Sequence, residues 1–392
     1  MYEGEWIMAF TGKATYAAGA TLPEIAEDVS DLVGINSPFE TPLLDALGDA
    51  ARPARSTVHE WLEDALLPNS DTIAAVGGSP TTDTTFTAAH GSRFRVGDQI
   101  QMAGSLEVML VTAINTSTNV LTVARGYGGS GNDVLTVAAG LLIIGNAALE
   151  GDDAPATRFT TRTRASNYTQ IFSAAVEISG SELAVRQIGV ANELDYQKQN
   201  RLRELMRDLE NSVINGRAAA TNPQGSSTAR RTMRGILPSI VTNRMHPGDG
   251  NLPTASTFTE EILNAALRHI WSQSNGTVDL IVVGGKEKRA LNQFVAPSVR
   301  RYAPSDDTYR DGVSVYESDF GVCRVVLSRW VPAGMALLLD SSRVEVLPLA
   351  GRNFHYKPLA TTGDKESGQV IGEYTMEFRN EAAHGVITDI PE

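Results

Sequence analysis

Around Trp61 the chain places His59, Glu60, Glu63 and Asp64, an imidazole and three carboxylates along one short stretch. Such a set could supply a general acid and base, or nitrogen and oxygen ligands for a metal. His59 and Glu63 are four apart, as on a zinc-binding helix, but the second histidine such a site needs is missing. The glycines of GYGGSG, Gly126 to Gly131, carry the spacing of a dinucleotide-binding turn. That turn requires a following helix whose N-terminus takes the pyrophosphate. NDVLTV comes next and reads as a strand, so a hairpin turn is expected. Asp306, Asp307 and Asp311 lack the ligand periodicity of a calcium loop and read as solvated loop. There is no Gly-Lys-Ser/Thr phosphate cradle, nucleophile elbow or metalloprotease pair. Cys323 is the single cysteine, which excludes a disulfide within the chain and a thiolate cage, and in GVCRVV it reads as a small core side chain on a half-buried strand. Trp61, Trp271 and Trp330 read as packing residues. No catalytic residue, cofactor-binding residue or metal ligand is expected, and the chain reads as not an enzyme.

The elements that hold these residues are set by composition first. At 392 residues the chain can build two or three compact units with a sizeable core. Its net charge of −13 argues against an electrostatic nucleic-acid binder. No apolar run reaches the roughly 20 residues of a membrane span, and a soluble protein made inside the cell is expected. Glu3-Gly4-Glu5 can be encoded as a bacterial ribosome-binding sequence just ahead of Met8, so translation is expected to start at Met8. Charge is uneven along the chain: residues 1–60 hold ten acids against three bases, whereas 151–235 hold nine acids against twelve bases.

Residues 9–55 read as an arm with a short helix from Leu22 to Val33 and another from Leu43 to Leu47, bracketed by Pro38 and Pro42 and stopped by Gly48. Four or five short strands between Thr84 and Gly145 suggest a small inserted barrel or sandwich. In RFTTRTR, Arg158, Thr160, Arg162 and Arg164 fall on one strand face. Ser179 with Glu182 makes a capping box, predicting one helix to Asn215 that forms a rod of about 54 Å at 1.5 Å per residue. Leu202, Leu205, Met206, Leu209 and Val213 form its apolar stripe. Thr257 with Glu260 opens a second helix burying Ile262, Leu263, Ala266, Leu267 and Ile270. A buried strand at VDLIVV, a helix from Lys286 to Val295, strands over 313–347 and strands again over 355–390 complete the reading.

SPFETPLLDALG, HEWLEDALLP, ALEGDD, RASNYTQIF, EISGSELAV, ELDYQKQNRLRELMRDLENSVING and PLATTGDKESGQVIGEYTMEFRNEAAHGVI resemble, in order, the blocks of a tailed-bacteriophage major capsid (major head) protein of the SU10-like family. The resemblance runs from Ser37 to Ile387 apart from the β insert. It implies an α+β HK97-like (Johnson) fold: an N-terminal arm over 1–55, an E-loop over 56–178 with the inserted β domain at 84–145, a spine helix and the first part of the P-domain over 179–236, an A-domain over 237–347, and the second part of the P-domain over 348–392. It implies a subunit that self-assembles as hexamers and pentamers into an icosahedral or prolate shell around double-stranded DNA, found in the virion and, during assembly, in the host cytoplasm.

The same resemblance implies a portal partner, scaffolding, protease and decoration proteins as further partners, non-specific contact with packaged DNA, and no membrane. Trp61, Glu60 and Glu63 at the start of the E-loop are expected to contact a neighbouring copy, an aromatic anchor in a charged surround. Arg158, Arg162 and Arg164 are expected to meet the acidic first segment of a neighbour. One relative in the fold locks its shell through an E-loop lysine, and here no lysine lies between Lys13 and Lys198, so no covalent mesh is expected. The alternative within the fold is an encapsulin-like nanocompartment shell. The alternative outside it is an α/β enzyme with a β appendage.

Overall fold

The computed structural model describes residues 39–151, 153, 157–185, 192–294, 315–360 and 363–390. The chain divides into two compact units, one taking in residues up to Trp61 and from Ser166 onward, the other Leu62–Ala165. The helix expected at Leu22–Val33 and the acidic triplet at 306–311 lie outside the described residues. Among the described residues no helix is long and apolar enough to cross a membrane.

The chain begins with α1 (Pro42–Leu47), where proline at the first turn and Gly48 past the end bracket one short helix as expected. Gly48 takes a left-handed φ of 75°, and its N–H donates to Leu44 O. HEWLE, with no helical signal of its own, is β1 (Val58–Glu63). It pairs with β8 (Thr163–Tyr168), and these two strands carry the chain out of the first unit and back.

Between them lies the second unit, with β2 (Ser70–Val76), β3 (Thr85–Ala88), β4 (Asp98–Met102), β5 (Val108–Asn115), β6 (Val120–Ala124) and β7 (Gly140–Asn146). They close a barrel in the order β2-β3-β6-β5-β4-β7. Closure leaves no open edge. The barrel is larger than the sequence suggests, because β2 starts 14 residues before Thr84 in a stretch whose alternation is weak. Ile73, Phe86, Phe94, Ile100, Met109, Val111, Leu121 and Leu141 fill the interior. First and last strands are neighbours, with Ser70 opposite Leu142.

One end of the barrel is tied by a buried ion pair. Arg125 Nε and a terminal nitrogen donate to the two oxygens of Glu107 at 2.6 and 2.7 Å, and Gly126 and Asp133 amides donate to the same carboxylate. Burial alone would raise the Glu107 carboxyl. The Arg125 side chain and those two amides outweigh it and hold the group below its ordinary value. GYGGSG is the turn so anchored, with left-handed φ at Gly126, Gly128, Gly129 and Gly131. NDVLTV joins no ladder: Asp133 is held by Glu107 and Arg125, and Leu135 donates to Pro80 O and inserts into the core. No helix follows the glycines, so nothing there presents amides to a pyrophosphate.

The first unit resumes with β9 (Gln170–Ser179), α2 (Gly180–Ala184) and α3 (Glu193–Asn215). Ser179 Oγ accepts from Glu182 N as the capping box requires, but α2 ends at Val185, which is extended, and α3 opens on a new cap where Asn192 accepts from Asp195 N. The single long rod is therefore corrected: α3 has 23 residues, about 34 Å. There follow α4 (Ile236–Ser239), β10 (Arg244–Met245), α5 (Glu260–Gln273), β11 (Leu280–Val283), α6 (Gly285–Phe294), β12 (Val315–Ser318), β13 (Gly321–Leu327), β14 (Ala336–Leu339), β15 (Val344–Pro348), β16 (His355–Pro358), β17 (Lys365–Phe378) and β18 (Gly385–Ile387).

A six-stranded sheet runs β10-β18-β14-β11-β13-β12, with β11 parallel to β13. The five apolar residues expected on α5 are all buried against it, together with Ile281, Val283, Cys323, Val325 and Leu338. The α5 cap is Thr259, whose side chain accepts from Ile262 N, not Thr257. Cys323 is fully buried and its thiol, raised by desolvation, is pushed up to about 11. A second sheet is ordered β15-β17-β16, with β9 also paired to the 14-residue β17.

Candidate functional site

The cluster around Trp61 is dispersed by its strand geometry, since alternate residues of β1 point to opposite faces. Among the described residues no three His, Cys, Asp or Glu side chains group as a metal would require. His59 instead meets a buried acid of β17, its Nε2 lying 2.6 Å from Glu377 Oε2. Arg52 donates to both oxygens of that carboxylate at 3.2 and 3.0 Å. Glu377 is thus a clamp on two segments: the approach from α1 and the start of β1.

One helical-looking interval earlier on the same strand, Glu373 does the same for other segments. It accepts from Thr169 Oγ1 and from an Arg231 terminal nitrogen, both at 2.6 Å, and forms an ion pair with Arg352 at 2.8 Å. Asn167 completes the anchorage of the returning strand. Its amide nitrogen donates to Arg234 O and Met376 O, and its oxygen accepts from Arg234 N and Tyr168 N. Glu373 and Asn167 each have several partners here, the condition under which buried polar groups specify a position and do not merely cost free energy.

The third clamp is on α3. Glu210 is fully buried, and its two oxygens accept from Leu43 N at 3.0 Å and Leu44 N at 2.9 Å, the free amides that open α1. Ser328 Oγ donates to it as well, at 3.3 Å. Desolvation raises this carboxyl above its ordinary value despite those three donors. Leu43 is fully buried below it, Trp330 Nε1 donates to Glu40 O, and Arg324 donates to Ala46 O. The segment that buries little surface of its own is thereby pinned to the body of the unit.

The expected contact residues divide between two settings. Trp61 is turned inward with 9% of its surface exposed, its ring 6.0 Å from that of His59, while Glu60 and Leu62 on either side face outward and Glu63 is half-buried. Arg158, Arg162 and Arg164 are exposed. Arg158 donates to Ser92 O and Arg93 O, and Arg162 lies 3.9 Å from Asp64. Trp271, expected to be a packing residue, is largely exposed with one side against Phe320. Sequence reasoning missed Glu210, Glu373, Glu377 and Asn167. The available signal was two acids four apart on the buried face of an alternating strand.

Exposed apolar side chains gather on the connections to the barrel. Leu66 is 91%, Phe159 84% and Leu149 78% exposed. Scattered exposed leucines are ordinary, but three large ones on two connecting stretches call for a cover.

Comparison with family models matches residues 9–391 to the SU10 major capsid protein family. Comparison with curated proteins found no match. Among solved structures, the capsid of a native GTA particle is similar over 97% of this chain and 99% of its own, at 10% identity and a TM-score of 0.54. A Gordonia phage Cozz chain is similar over 97% and 98% at 11% identity and a TM-score of 0.51. At such identities the likeness is one of fold, and it spans both chains almost entirely. The chain belongs to the SU10 major capsid protein family, structural proteins that self-assemble into the head shell of tailed phages.

Proposed function

We propose that this chain tiles a closed, DNA-filled head by reaching over its neighbours with two extended segments, and that residues 1–55 act as an N-terminal arm, 56–178 as an E-loop with a β domain inserted within it, 179–236 as a spine and first P-domain part, 237–347 as an A-domain and 348–392 as a second P-domain part. The observation that carries this reading is the exposure of Leu66, Leu149 and Phe159 beside a self-contained barrel. A monomer has no use for them, whereas a loop laid on another copy would cover all three. Burying such side chains contributes roughly 1.5–3 kcal/mol each.

Glu60, Glu63 and the residual edge of Trp61 contact a neighbour at the start of the loop, and Arg158, Arg162 and Arg164 face its acidic surface. The clamps at Glu210, Glu373 and Glu377 give these segments fixed roots. Contacts of about 800 Å² per partner, repeated around each copy, hold by number and remain correctable one at a time. Hexamer and pentamer positions require the same sequence to fit two settings, which the extended segments absorb. The acidic chain touches packaged DNA without binding it tightly, so the genome moves freely as it enters. A portal closes one vertex.

Electron microscopy of the chain expressed alone and with its portal tests this reading. Closed shells or capsomers are expected. A chain that stays monomeric across protein concentration and ionic strength refutes it.

A further inference from the structure

β9 is an open edge. Its antiparallel ladder with β17 runs from Gln170 opposite Tyr374 to Ser179 opposite Lys365, and Gly180 N donates to Asp364 O one step beyond. Hydrogen-bonded and non-hydrogen-bonded pairs alternate in such a ladder. The even-numbered residues of β9 therefore turn their N–H and C=O groups toward β17, and Ile171, Ser173, Ala175 and Glu177 turn theirs away. The same parity holds on β17: Glu373 and Ser367, opposite Ile171 and Glu177, bond on their far side to Arg352, Leu349 and Leu359.

Just upstream the outward groups are taken. Thr169 N donates to Thr57 O at 2.9 Å, and Arg231 Nε donates to Thr169 O at 2.7 Å. From Ile171 to Glu177, no partner for the outward backbone groups exists among the described residues. An edge of that length without proline is a template for another strand and stays safe only when covered. Hollows flank it at both ends, one lined by Ile171, Gln224 and Arg230, the other by Glu182, Glu193 and Arg201.

We propose that residues 157–164 of a second copy add as a strand to this edge, an inference that rests on the tiling reading above. Residues 157–162 have no ladder partner of their own and are exposed throughout. Their composition, Thr-Arg-Phe-Thr-Thr-Arg followed by Thr-Arg, favours strands through threonine and phenylalanine. Main-chain bonds would supply affinity and the alternating side chains register. With the arginine row turned toward Glu182 and Glu193, Phe159 falls on the other face beside the half-exposed Ile171. Arg158 already holds two carbonyls of its own unit, so Arg162 carries the pairing. The exposed Arg162–Asp64 pair costs little to exchange. The acidic surface that the arginines meet is then this groove of the neighbour, in place of its first segment.

Two measurements test it. Ala175→Pro removes one outward N–H and obstructs an added strand while leaving the bonds to β17, as proline is tolerated where a strand's N–H faces solvent. Ala174→Pro breaks the inner ladder and serves as the folding control. Ala175→Pro subunits should keep the parent circular dichroism spectrum and lose particle yield by roughly tenfold or more, about 1.4 kcal/mol for each tenfold. Separately, Ala175→Cys co-expressed with single variants Thr157→Cys, Thr160→Cys, Thr161→Cys or Thr163→Cys should give, on mild oxidation of assembled particles, a disulfide-linked dimer for at least one pairing. Parent-like particle yield from Ala175→Pro overturns the proposal. So does absence of a dimer from all four pairings in well-formed particles, or a dimer formed instead with a cysteine placed in the first 38 residues. A parent chain that forms no particles overturns the tiling reading itself and this inference with it.

Discussion

Glu210→Leu should release α1 from the body of the chain. The substitution keeps an apolar filler in the buried position but removes the acceptor for Leu43 N and Leu44 N, and for Ser328 Oγ. A buried amide left without a partner costs about 1–3 kcal/mol, and the part-buried Leu44 amide adds less. Part of this is offset, because the wild-type carboxyl is itself destabilised by desolvation, as its raised pKa records. A net loss of roughly 2–4 kcal/mol corresponds to an opening equilibrium raised about thirtyfold to several hundredfold. Hydrogen exchange of a peptide spanning residues 39–50 in the unassembled subunit reads this directly, with Leu43 and Leu44 as reporters.

The pH dependence has a definite sign. A carboxyl whose folded-state value is raised contributes fully to attachment below the ordinary carboxylate range, and that contribution declines as pH rises through the raised value. Protection of α1, corrected for intrinsic exchange, should therefore fall with rising pH in the wild type and show no such trend in Glu210→Leu. Protection unchanged within about threefold, or the same pH trend in both proteins, would refute the assignment of Glu210 as the clamp.

Other outcomes are expected. Trp61→Ala should lower the urea midpoint of the free subunit by the equivalent of about 3–5 kcal/mol and also reduce particle yield; normal particles from a subunit of unchanged stability would remove Trp61 from both roles. His384 is fully buried, with Nδ1 accepting from Asp340 N, and desolvation lowers its value from 6.5 to about 4. Stability should thus be full above the ordinary histidine range and decline by roughly 3 kcal/mol as pH falls toward that value, with a flatter profile in His384→Gln. Raised salt should slow assembly, and reversing Arg162 and Arg164 to Glu should impair it unless Glu182 and Glu193 are reversed to Lys together; equal assembly of all four forms would contradict the charge pairing. Denaturing gels of mature particles should show a single band at 42.0 kDa, since the segment from Lys13 to Lys198 contains no internal lysine; higher bands resistant to reduction would overturn the expectation.

Local signals located much of the fold. The α5 stripe, the proline and glycine around α1 and the turn-punctuated strands from β4 to β7 all state their structure within a few residues. Boundaries failed where two local signals competed. Thr257 has a glutamate three residues on and Thr259 does not, yet the backbone turns helical after Thr259. Likewise the cap at Ser179 is real, but a cap sets where a helix begins and says nothing of how far it runs. Beyond the spacing of Glu373 and Glu377, the clamps left no local trace, for a deeper reason. Glu210, Glu373 and Glu377 look like surface acids on a helix and a strand, and their meaning lies in hydrogen-bond donors 118 to 325 positions away that only the tertiary fold brings near. Trp61 illustrates the converse: a tryptophan among charges fits an interface pattern, and an acid on β17 explains the same arrangement from within.

The barrel's first and last strands lie side by side, with Ser70 opposite Leu142, so the chain enters and leaves the module along one ladder. A domain entered and left in that way is a cassette. It can be excised and replaced by a short turn, or exchanged for an unrelated fold with adjacent termini, while the flanking chain keeps its path. Chains built on one plan can in this way carry different modules at the same point of the sequence.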